Sequence, residues 1–102
     1  MVKRYKRKAI VLEGLVWTEE NHREMFNFLE GYDPGKAMNS VGENFYLDFS
    51  RKSRSGFLII KTLEGEHVAS KGDVIMKGTL GDFWPVKPKA HELTYDEVDA
   101  NE

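Results

Sequence analysis

The residues of this chain that could do chemistry fall in three places. The turn Lys71-Gly72-Asp73, with Lys77 close behind, sets one carboxylate among cations and is a candidate for orienting a polar ligand. A carboxylate in a Gly-Asp turn more often accepts backbone N–H groups of its own loop, so the structural use is the expected one. A second group is cationic: Lys6, Arg7 and Lys8 near the N-terminus, and Arg51, Lys52 and Arg54 among Ser50, Ser53 and Ser55. Cations interspersed with small hydroxyls suit phosphate contacts, and these six residues form the candidate anion or nucleic-acid contact. The plainer reading of 51–54 is a solvated basic loop between strands. Tyr5 is the sole aromatic beside the N-terminal cations, so a base-stacking platform is missing there.

The third group is the histidines. His22 has no partner at metal-ligand spacing and reads as a helix-flank residue. Neither His67 nor His91 adjoins a serine or carboxylate in a nucleophile motif. The absence of cysteine removes thiolate metal sites, thiol nucleophiles and disulfides. Gly35-Lys36 lacks the rest of a phosphate-binding P-loop. Carboxylates are plentiful, yet no pair stands out for hydrolysis. The expectation is a protein without catalysis, metal or cofactor.

The elements that must position these residues fit one domain. The 102 residues, 40% hydrophobic and 31% charged, suffice for a single modest core. No apolar run approaches the roughly 20 residues of a membrane helix, and Ala9–Leu12 is too short for a signal-peptide core. A cytoplasmic location is the default. The net charge of −2 is unevenly spread, with Lys3, Arg4, Lys6, Arg7 and Lys8 at one end and Glu92, Asp96, Glu97, Asp99 and Glu102 at the other. Such ends can be interaction arms, or can lie side by side and neutralise each other.

Residues 9–17 read as a strand buried on both faces, with Gly14 marking a bulge or close approach. Thr18 is placed to cap a helix that presents His22, Met25, Phe26 and Leu29 on one face and ends at Gly31. Residues 31–56 read as an irregular insertion with a turn at 33–35 and one short strand at 44–49, with Phe45, Leu47 and Phe49 facing the core. Strands then follow at 57–62, 67–69, 74–76 and 83–86, with glycine-marked turns between them, Gly65 among these. Pro85 confines the last strand to an edge. Pro88 opens a helical turn, after which Leu93 and Tyr95 pack back. The fold expected is α+β: a small curled antiparallel sheet or barrel-like meander with one N-terminal amphipathic helix. It occupies residues 1–98, and 99–102 form a frayed acidic tail.

The frame Ile-Lys-Thr-Leu-Glu-Gly-Glu (60–66), Gly-Asp-Val-Ile-Met-Lys-Gly (72–78), Gly-Asp-Phe-Trp-Pro-Val-Lys-Pro (81–88) and Thr-Tyr-Asp-Glu-Val (94–98) resembles a family of small bacteriophage and prophage proteins. That family's signature is a Pro-Gly-Asp-Tyr/Trp turn, a lysine-glycine pair, a Gly-Glu-Phe-Tyr-Pro strand and a Thr-Tyr ending. Tyr5-Lys6-Arg7-Lys8, Trp17-Thr18 and Phe28-Leu29 fit its opening, whereas Lys71 and Trp84 replace the usual proline and tyrosine. The resemblance implies a small phage-encoded accessory protein that binds and modulates a host or phage protein. The alternative is a nucleic-acid or nucleotide binder using the basic N-terminus and the 51–54 loop.

Overall fold

The structure, a computed structural model, describes residues 1–6, 9–33 and 35–98. Its elements are β1 (Glu13–Val16), α1 (His22–Glu30), α2 (Ser40–Arg54), β2 (Leu58–Thr62), β3 (Gly65–Ala69), β4 (Val74–Lys77), β5 (Phe83–Val86) and α3 (Pro88–Thr94). The class is α+β, as expected. The strands do not form one meander, however. β1, β4 and β5 make an antiparallel three-stranded sheet with β4 in the middle, and β2 and β3 form a separate hairpin. β4 is central because Val74, Ile75 and Met76 are all buried, while Pro85 sits on the edge strand β5, where a missing ladder donor is tolerated.

α1 forms on the expected face, with His22, Met25 and Phe26 buried and Gly31 at φ 75° closing it. Its start differs. The helix begins at His22 behind Asn21, and the Thr18 hydroxyl accepts from the Glu20 and Asn21 N–H groups one turn earlier. The hairpin turns at Gly65, whose φ of 117° suits glycine. Gly14 does mark a close approach, since a side chain there would run into the Met76 sulfur.

The largest correction is α2. Residues 31–56 are not an irregular insertion with a strand at 44–49, because 40–54 form a helix of 15 residues. Asn39 caps it, its side chain accepting from the Gly42 N–H at 2.8 Å. The buried face is Gly42, Ser50 and Ser53, with Tyr46 and Phe49 half-buried, whereas Phe45 and Leu47 are exposed. Among the described residues three helices therefore replace the one expected. β1 is also shorter than the 9–17 reading: Ile10 and Val11 are exposed, and only Trp17 of that run is fully buried. Leu93 does not pack back, being exposed on α3, and Tyr95 is half-buried against the His91 ring. The tail at 99–102 lies outside the described residues.

The core gathers Trp17, Met25, Leu58, Ile60, Ala69 and Ile75, with Leu15, Phe28, Leu29, Phe49 and Phe83 around it. It thus draws on both sheets and α1. Among the described residues no helix is long and apolar enough to cross a membrane.

Candidate protein-binding surface

Asp73 sits where β4 begins, and its surroundings explain why. Its backbone carbonyl accepts from the Trp17 N–H at 2.8 Å, and the neighbouring Gly72 N–H donates to the Trp17 carbonyl at 2.7 Å. The Asp73 side chain is 3% exposed, accepts from the Ser70 N–H at 2.9 Å and receives the Lys87 ammonium at 3.0 and 3.1 Å. The carboxylate thus secures its own turn, as the plainer reading expects. Its cationic partner is Lys87, which the sequence reading missed, and not Lys71 or Lys77.

The cationic candidates separate. Lys6 lies in an exposed N-terminal segment, and Arg7 and Lys8 fall outside the described residues. Arg51, Lys52 and Arg54 occupy the last turn of α2 and not a loop; cations there suit the negative end of the helix dipole. Arg51 and Lys52 both reach Asp48, at 2.7 and 3.1 Å, and Arg51 first, then Lys52, hold the Asp48 carboxyl below the usual range. The Arg54 Nε donates to the Ser50 hydroxyl at 2.8 Å. Among the described residues no ion pair joins the basic opening to this helix end or to the acidic end of the chain.

His22 proves to be a bolt between helices. His22 Nδ1 and Ser53 Oγ share a hydrogen bond of 2.7 Å, and the Ser53 hydroxyl also lies 3.3 Å from the Ser50 carbonyl. The Trp17 ring meets the imidazole edge-on at 5.2 Å. Burial and then the Arg54 charge lower the His22 pKa, against an opposing hydrogen bond to the Glu19 backbone. Because the folded imidazole resists protonation, its contribution to stability is whole above the unfolded value of about 6.5 and falls as pH drops below it. The folding free energy measured by denaturant from pH 7.5 downward should therefore decline with a slope that His22→Gln reduces. An unchanged slope would remove His22 as its source.

On the outer side of α2, a groove of about 530 Å³ opens between the helices and the hairpin. Phe26 and Phe49 lie at its base, and Phe45, Phe57 and Ile59 line it while 61, 58 and 40% exposed. Glu30, Asp48 and Glu66 alternate with Lys52 and Lys61 around them. Such an apolar centre with a charged rim of both signs is how protein interfaces are composed. Sequence reading missed the groove because it turned Phe45 inward. Arg23 braces it from the other side, its two guanidinium nitrogens reaching the Glu43 carboxylate at 3.0 and 3.1 Å across α1 and α2. A second cleft, of about 400 Å³, lies between the hairpin turn and β5, and His67 and Trp84 line it. His91 instead stacks on Tyr95.

Comparison with known protein families, curated proteins and solved structures finds no match.

Proposed function

We propose that this chain is a small, non-catalytic accessory protein that acts by docking onto another protein through the groove of Phe45, Phe57 and Ile59. The exposure of these three large apolar side chains around one groove is the observation that carries the reading. The partner segment presents aliphatic or aromatic anchors flanked by charges of both signs, matching the rim. The resemblance to small phage proteins adds that the partner belongs to a bacterial host or to the phage itself. The use of Arg51, Lys52 and Arg54 within α2 weighs against the nucleic-acid alternative.

The test is a tagged pull-down from bacterial lysate, with and without nuclease, comparing the wild type with a Phe45→Glu, Phe57→Glu double variant. Both positions are exposed, so the fold should survive. The expected result is one dominant protein, retained at high salt and after nuclease and lost from the variant. A nuclease-sensitive signal that depends on Lys6, Arg51, Lys52 and Arg54 would put phosphate contacts in its place, because those weaken steeply with salt.

A further inference from the structure

Residues 9–16, Ala-Ile-Val-Leu-Glu-Gly-Leu-Val, have the apolar pattern of a strand covered on both faces, yet Ile10, Val11 and Val16 are 59, 60 and 45% exposed in the single chain. β1 is bonded to β4 along one edge; its other edge has no partner strand among the described residues, and 9–12 run up to it outside any ladder. An exposed, apolar, β-prone edge is a template for another strand. We propose that this edge pairs antiparallel with the same edge of a second copy of the chain, about a two-fold axis, so that two β1–β4–β5 sheets become one.

Charge identifies the occupant. Lys3, Arg4 and Lys6 precede the stretch, and Glu19 and Glu20 follow it; all five are exposed, and none joins an ion pair within the described residues. Antiparallel pairing of 9–16 with itself sets the cations of one copy beside the glutamates of the other, on both sides of the axis. Parallel pairing would set like charges together. The stretch also selects a register. With Leu12 opposite its own copy on the two-fold axis, Ile10 faces Gly14, Val11 faces Glu13 and Arg4 faces Glu20; moving the axis by one residue places Glu13 against its own copy, where like charges repel. The interface is isologous, the commonest arrangement of a homodimer, and shares no residue with the groove.

Sedimentation equilibrium of the intact chain, from micromolar to submillimolar concentration, tests this. The expected mass at the upper end is twice the 11.8 kDa of one chain. Trp17 bonds toward β4, so the even-numbered residues direct their N–H groups to the free edge. Ile10→Pro removes one of these donors outside the β1–β4 register and should return the single mass with an unchanged circular-dichroism spectrum; Ile10→Lys should do the same. Because the chain has no cysteine, Leu12→Cys supplies one thiol per copy close to the axis, and mild oxidation should cross-link it. Leu93→Cys, exposed on α3, should stay uncross-linked. A single-chain mass at every concentration, a dimer indifferent to both edge variants, or equal cross-linking at 12 and 93 would overturn the proposal.

Discussion

Replacing Phe26 with alanine should destabilise the fold by about 3–5 kcal/mol, the range for removing a fully buried phenylalanine. The side chain is 2% exposed, and its ring lies 5.5 Å from that of Tyr32, 5.4 Å from Tyr46 and 5.3 Å from Phe49. These neighbours belong to α2 and to the loop after α1, so the ring ties both segments to α1. Truncation leaves a void that two helices clamped by Arg23–Glu43 and His22–Ser53 cannot readily close. Chemical denaturation of wild type and variant measures the loss. An unchanged midpoint would take α1 out of the core. Phe26 also lies at the base of the groove, so its variant cannot stand in for the exposed Phe45 and Phe57 in a binding experiment.

Asp73→Ala is the second large effect, expected at about 1.5–3 kcal/mol, the range for hydrogen bonds to a charged group. The substitution strips the Ser70 N–H and the Lys87 ammonium of one shared acceptor at the junction of β1 and β4. Lys87→Met should cost less. The Lys87 side chain is 67% exposed, so water screens its half of the pair and rehydrates it cheaply. Equilibrium unfolding of the two single variants and the double variant separates the contributions. Equal losses for Asp73→Ala and Lys87→Met would mean that the ion pair dominates and the bond to the loop N–H counts for little.

The elements that the sequence reveals are those whose buried face is apolar. His22, Met25, Phe26 and Leu29 mark α1 by spacing, Gly31 and Gly65 mark its end and the hairpin turn, and Val74–Met76 mark the central strand. α2 hides because the residues it fully buries are Gly42, Ser50 and Ser53. Small side chains let a helix lie close to its neighbour, but they give no hydrophobic period, and the exposed Phe45 and Leu47 imitate an alternating strand with Phe49. The signals that could have found this helix were polar: Asn39 as a cap with Glu43 in the first turn, and Asp48 spaced three and four residues before Arg51 and Lys52. The candidate surface was illegible for the same reason, since one misassigned element turned its central phenylalanine inward. The His22–Ser53 and Asp73–Lys87 contacts join residues far apart in sequence, and no local pattern announces such pairs.

The pairing of β1 with β4 bears on how the chain is made. The β2–β3 and β4–β5 ladders join neighbours in sequence, whereas Glu13 pairs with Lys77 and Val16 with Val74. A strand with so distant a partner bears the entropy of closing a long loop, a cost the ladders between sequence neighbours escape. During synthesis, β1 leaves the ribosome early and stays without its ladder until β4 follows. In the meantime its apolar residues lack their ladder, and the lysines and arginines ahead of them are flanking charges of the kind that oppose association of such a stretch.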